Sequence, residues 1–158
     1  MSTKRYFDVI RITRNNFITL VNGLNIDQLN KIPEGFNNNI AWNFCHAVVT
    51  TQALTYRLAG LEVTIDAAII DRYKKGTKPE VFIDQNEIDF FKKLALSNID
   101  QLEADYNNGV FKTQPFTHYA TSFNIILDSI EDAISMVQTH DALHFGYAQA
   151  QRRCVQNI

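Results

Sequence analysis

The segment that begins after Asn38 or Asn39 and runs to about Ala59 is apolar almost all the way round in its first half, where Ile40, Trp42, Phe44, Val48 and Val49 crowd together. A helix with apolar residues on every side cannot lie on one neighbour and leave its other faces in water; it has to be surrounded. The rest of the chain offers the helices to do so. A first long helix is expected from about Thr3 to Asn22, with Phe7, Ile10, Phe17 and Val21 on one side and Gly23 as its C-cap. Another begins at Asp84, where Glu87 three residues on predicts a D-x-x-E capping box. Its buried stripe is Ile88, Phe91, Leu94, Ala95 and Leu102, and Asn108-Gly109 closes it. The last is capped by Ser129, carries Asp132 at the third position and runs to about Arg153. Four such segments predict an all-α fold, a four-helix bundle.

The connections refine this. After the first helix, IDQLNKI makes a short piece capped by Asn25 and stopped by Pro33. The link between the second and third long helices spans roughly Leu61 to Ile83, whereas a helical hairpin needs only about 2–8 residues. It is long enough to run the length of a bundle, so we expect a crossover that leaves helices two and three parallel. Within it IDAAIIDRY reads as a short helix. FTHYATSFNIIL, before the last helix, has no clean helical stripe and reads as extended or irregular. No internal repeat, low-complexity stretch or linker interrupts the chain, so residues 1–158 are read as one domain, long enough to bury a substantial core.

Charge and composition exclude several function classes. A net charge of -2 with a pI near 6.0 gives no electrostatic footprint for nucleic acid. No apolar run approaches the roughly 20 residues of a membrane span. The start, MSTKRYFDVIRITRNNF, is charged throughout and lacks the apolar region of a signal peptide. Cys45 and Cys154 form no recognisable disulfide framework, which suits a reducing compartment. A cytoplasmic protein is expected.

The strongest chemical statement is HDALHFG. His140 and His144 stand four residues apart, about one turn, so their imidazoles project from one helix face. That face is apolar: Ile130, Ala133, Ile134 and Val137 lead into it, and Tyr147 and Ala148 follow. Two histidines thus occupy core positions suited to Leu or Ile. Neutral imidazoles there need partners. H-x-x-x-H recurs on helices by chance, and a core histidine is more often satisfied by a backbone carbonyl or a carboxylate than by a metal. A metal ion is one partner that satisfies both, and a useful site then needs at least one more ligand. His46 qualifies, on the apolar line Trp42, His46, Val49, Ala53, Tyr56 of the second helix. Three neutral histidines from two helices would leave coordination positions open, as catalytic sites do. Zn, Ni, Fe and Mn all accept such ligands. The imidazole nitrogens would have to converge within about 3–4 Å of one another, since each ligand bond is roughly 2.0–2.1 Å.

Other candidates carry less. His118 lies in a loop beside Tyr119. Cys45 points about 100° away from His46 around the helix and reads as a small core residue, while Cys154 reads as semi-exposed. Asp141 points off the histidine face, which favours a supporting or solvent-facing role over ligation. RYKKGTKP reads as a solvated turn; its alternative role is a loop over the mouth of the site, with Lys74, Lys75 or Lys78 meeting an anionic substrate. Nucleotide-binding, dithiol and serine-nucleophile motifs are absent.

Two stretches together carry a resemblance. FNNNIAWNFCHAVVTTQAL and HDALHFGYAQAQRR resemble, in order and helix placement, the second- and fourth-helix signatures of the DinB/YfiT-like superfamily. The resemblance covers essentially the whole chain. It implies a four-helix bundle with the long second connection, commonly a homodimer. It also implies a divalent metal, often Ni or Zn, held by three histidines, here His46, His140 and His144. Characterised relatives include thiol-dependent transferases and isomerases that use bacillithiol, mycothiol or glutathione. The leading expectation is therefore a metal-dependent transferase acting on a low-molecular-weight thiol and a small electrophilic substrate, with no nucleic acid or membrane partner. The alternatives are a hydrolase using metal-activated water and a non-catalytic bundle that binds a metal or small ligand. No second general base is identifiable.

Overall fold

The computed structural model describes residues 3–156. Helix α3 (Ile40–Gln52) is surrounded, as its composition requires: every residue in it except Thr50 is buried. Around it lie α1 (Thr3–Asn22), α5 (Gln85–Asn107) and α6 (Ile130–Gln156), with the short helices α2 (Ile26–Asn30) and α4 (Ala67–Tyr73) in the connections. The fold is an all-α bundle of four long helices.

Side-chain contacts at its ends fix the directions. Tyr106, at the end of α5, bonds both Thr3 at the start of α1 (3.2 Å) and Glu131 at the start of α6 (2.8 Å). Tyr56, beyond the end of α3, donates to Asp105 near the end of α5 at 2.6 Å. Helices α3 and α5 therefore run the same way, with α1 and α6 opposed to both. The connection between α3 and α5 travels the length of the bundle and carries α4, which is the crossover expected from its length. Its return is pinned by Asn30, which bonds the backbone of Ile83 through both carbonyl and N–H, each at 2.9 Å.

Local rules account for most helix boundaries. Asn25, Asn39, Asp84 and Ser129 each accept a backbone N–H of the following first turn. Three of the following details differ from the expectation, and the third in order gives the expected extended stretch its form. Asp84 caps the N–H of Glu87 at 2.9 Å, but the Glu87 carboxylate accepts from Tyr73 and Arg72 instead of closing the box. A tertiary partner wins over the local one. Second, α3 passes into a π-helical turn at Ala53–Arg57. It closes at Gly60, whose φ of +67° allows Leu61 to bond back to Tyr56 at 2.9 Å. Third, FTHYATSFNIIL folds as a small antiparallel hairpin of β1 (Tyr119–Ala120) and β2 (Ile126–Leu127). Last, α6 continues past Arg153 to Gln156, where Val155 is still buried.

The core has two apolar halves. One gathers Phe17, Phe44, Val48, Ile88 and Phe91; the other gathers Phe7, Ile10, Leu54, Leu102 and Val137. Between them lies a buried polar layer of Arg14, Thr51, Gln52, Asn98 and Asp141. The histidine pair of α6 borders this layer.

Candidate metal centre

His46 projects from α3 towards α6 and is held by three neighbours. Its Nδ1–H donates to the carbonyl of Tyr73 at 2.5 Å, which leaves the lone pair on Nε2. The Trp42 indole stacks flat on the ring, centroids 4.5 Å apart and planes 9° from parallel. Thr50, one turn on, places its hydroxyl 3.5 Å from Nε2.

His144 is fixed in the same sense. Its Nδ1 lies 2.7 Å from Oδ1 of Asn43. The Asn43 amide nitrogen faces three acceptors, Asn38 Oδ1, Asn39 O and Gln151 Oε1, so its oxygen is the atom turned to the histidine. His144 therefore donates from Nδ1 and keeps its Nε2 lone pair free. His140 Nε2 lies 3.2 Å from His46 Nε2, and His140 Nδ1 is buried with no hydrogen-bond partner.

The structure thus brings all three histidines together, with one potential ligand atom from each lying within 4.8 Å of the others. The 3.2 Å pair lies in the window that two nitrogens on one ion require. Electrostatics match the geometry. Burial, then the neighbouring His144, His46 and Arg14, push His140 down to about 2. Burial and His46 push His144 down to about 3. Burial lowers His46 as well, opposed by its bond to the Tyr73 carbonyl. At neutral pH the cluster is three uncharged imidazoles, two with tautomers that aim Nε2 inward. Such a donor set fits a divalent transition metal.

The triad opens into a cavity of about 430 Å³, within the usual range for small-molecule sites. Leu54, Leu58, Ile70, Met136 and Leu143 line its apolar part, and Tyr119, Thr121, Ser122 and Phe123 of the hairpin close one side. Arg57, Lys74 and Lys75 are its charged residues; among the described residues no Asp or Glu lines it.

Of the other candidates, Lys74 and Lys75 reach this cavity, whereas Lys78 lies outside its lining. All three are exposed, so the solvated-turn reading holds for them too. His118 is exposed, paired with Asp128 and absent from the cavity wall. Cys45 is buried and its thiol is pushed up by desolvation, as a core residue; Cys154 is exposed. Asp141 faces neither the triad nor solvent. It is 1% exposed and paired with Arg14 at 2.8 Å. Tyr56 leaves the histidine line and turns to Asp105 and Phe111, beside the π turn.

Sequence reasoning missed Asn43, Arg57 and the carbonyl of Tyr73. Arg57 had a signal: it continues the 46, 50, 53, 57 spacing of the cavity face. The carbonyl had none, since it depends on where the crossover lands.

The family model of the DinB superfamily matches residues 10–148. No curated protein matches the chain. The matched span holds the polar layer and all three cavity histidines, and it covers most of the chain: this protein belongs to the DinB superfamily.

Proposed function

We propose that this protein is a metal-dependent enzyme, a transferase that joins a low-molecular-weight thiol to a small electrophile, with His46, His140 and His144 holding the ion. The observation that carries the reading is the convergence of three neutral imidazoles at the wall of an open cavity. A buried structural site would be closed off, whereas this one leaves room for further ligands. Imidazole donors suit nickel and zinc among divalent ions.

A divalent ion held there would supply Lewis acidity, lowering the pKa of a thiol so that the nucleophilic thiolate forms near neutral pH. The chain does the rest. His46 and His144 are locked by Tyr73 and Asn43, so the donor set is oriented beforehand. The leucine-rich wall and the Phe123 side of the hairpin give the substrate an apolar surface to lie against.

The test is conjugation. Protein loaded with zinc or nickel is assayed with glutathione, bacillithiol or mycothiol and an aryl halide as electrophile. We expect thioether formation with at least one thiol, lost on metal removal and in H140A. Hydrolysis of an ester probe without any thiol conjugation would favour the hydrolase; metal binding without turnover would favour the binding bundle.

A further inference from the structure

The cavity that holds the triad has a sign. The chain carries 17 acidic residues against 15 basic ones, yet the charges on the cavity wall are Arg57, Lys74 and Lys75. Lys74 is paired with Asp71 at 3.0 Å. Among the described residues, neither Arg57 nor Lys75 has a carboxylate within ion-pair distance.

The placement of the lysines is built into the site. The turn that carries Lys74 and Lys75 is pinned on both sides by the residues that frame the triad. His46 bonds the carbonyl of Tyr73 on its near side. Trp42 donates from Nε1 to the Thr77 hydroxyl at 3.2 Å on its far side. Thr77 in turn closes the turn on the carbonyl of Lys74 at 2.8 Å, around Gly76, whose φ of +90° fits the tight bend. Arg57 approaches from the π-helical end of the α3 segment, a local geometry frequent at functional sites. The lining that these cations share with the histidines also holds the apolar side chains of Leu54, Leu58, Ile70 and Leu143.

We infer that the ligand of this cavity is an amphiphilic anion: an apolar segment lies against the leucine wall, and a carboxylate or comparable group is held by Arg57 and Lys75. The inference rests on the reading of this cavity as the substrate site and adds the ligand's chemical class. Cations at a cavity mouth with low-dielectric walls draw anions in and orient them. The anionic group can belong to the thiol or to its electrophilic partner.

The chain carries its own reporter, since its one tryptophan, Trp42, lines the cavity. Octanoate and 1-octanol, equal in chain length and different in charge, are titrated against tryptophan emission of the full-length protein as purified and after zinc loading. We expect octanoate to bind about fivefold more tightly, the value of one or two partly exposed charge contacts. The preference should shrink as salt rises and disappear in R57A/K75A, whose far-UV circular dichroism reports that the bundle is intact. Equal binding of the two ligands, or no saturable change with either, overturns the inference. So does a preference that survives in R57A/K75A, which would place the carboxylate on the metal instead. If that variant fails to fold, wild-type protein stripped of metal decides: a salt-sensitive octanoate preference retained there supports Arg57 and Lys75, and one lost there overturns the inference.

Two thiol probes then separate the sources. With 3-mercaptopropionate and 2-mercaptoethanol, an Arg57/Lys75-dependent preference for the acid assigns the anion to the thiol. Its absence, beside a retained octanoate preference, assigns the anion to the electrophile. A protein that selects octanoate but conjugates no thiol keeps this inference and discards the transferase reading. One that conjugates a thiol but treats octanoate and octanol alike does the reverse.

Discussion

Two polar clusters sit side by side on α6, a half-buried one at His140 and a buried one at Asp141. They are adjacent in sequence, about 100° apart around the helix, and opposite in character. Asp141 turns inward to Arg14, and both are almost wholly buried, 1% and 2% exposed. Every nitrogen of the guanidinium has a partner. It bonds Asp141 at 2.8 Å, the carbonyls of Ala95 at 2.8 Å and Ala47 at 3.3 Å, and the hydroxyl of Thr51 at 2.5 Å. One atom there, Asp141 Oδ1, lacks a partner. The histidine cluster is unmatched: His46 Nε2 and His140 Nε2 meet at 3.2 Å, His140 Nδ1 has no partner, and the rings open on a cavity. A closed, matched cluster ties four helices together. An open, unmatched one is arranged to bind something.

The comparison can be broken from either side, starting with the largest effect. Replacing Arg14 by Met leaves a buried carboxylate without its partner and should cost about 3–5 kcal/mol in urea unfolding. The double variant R14M/D141L should recover most of that loss. If R14M unfolds at the wild-type midpoint, the pair does not hold the bundle.

The histidine cluster should show its cost through pH. In the unfolded chain these imidazoles titrate near 6.5, whereas in the fold His140 and His144 titrate at about 2 and about 3. Above pH 6.5 both states are neutral and the cluster contributes nothing. Below it the unfolded chain takes up protons that the native triad refuses, so stability falls with pH until the native values are reached. The slope tends to about 1.4 kcal/mol per pH unit for each histidine. Urea midpoints of metal-free protein between pH 7 and 5, above the main carboxylate range, should fall accordingly. A flat profile would mean that the triad is already charged or exposed.

Asn43 joins the two behaviours, as a fully bonded amide that orients a site histidine. Asn43→Ala should weaken zinc affinity about 10–100-fold by freeing the His144 ring. An unchanged affinity in a competition titration would show that His144 needs no orientation. The smallest effect belongs to the fourth histidine. His118→Ala removes an exposed pair with Asp128 and should change stability by less than about 0.5 kcal/mol and metal content not at all.

Much of this was legible because it follows from local rules. Asn25, Asn39, Asp84 and Ser129 are caps by residue type, and the length of the Leu61–Ile83 link demanded a crossover. His46, His140 and His144 stand out as polar residues on apolar faces. Arg14 and Asp141 carried a weaker trace. Arg14 interrupts the stripe Phe7, Ile10, Phe17 at core spacing, and Asp141, its opposite charge on α6, points off the histidine face. The π turn was not legible, since Ala53–Arg57 is an ordinary helical sequence and its widening depends on packing. Nor was the half-closed box at Asp84, because Glu87 is claimed by Tyr73 and Arg72 from the crossover. Propensity does not contain tertiary partners.

The central claim, that the open cluster is a metal site and the closed one is not, is met most directly by metal analysis after loading with zinc or nickel and exhaustive dialysis. Wild type should retain a stoichiometric amount of divalent metal. H140A, with its far-UV circular dichroism unchanged, should retain less than about a tenth of it. Equal and negligible metal in wild type and H140A would contradict the account, and would make the three histidines polar members of the core.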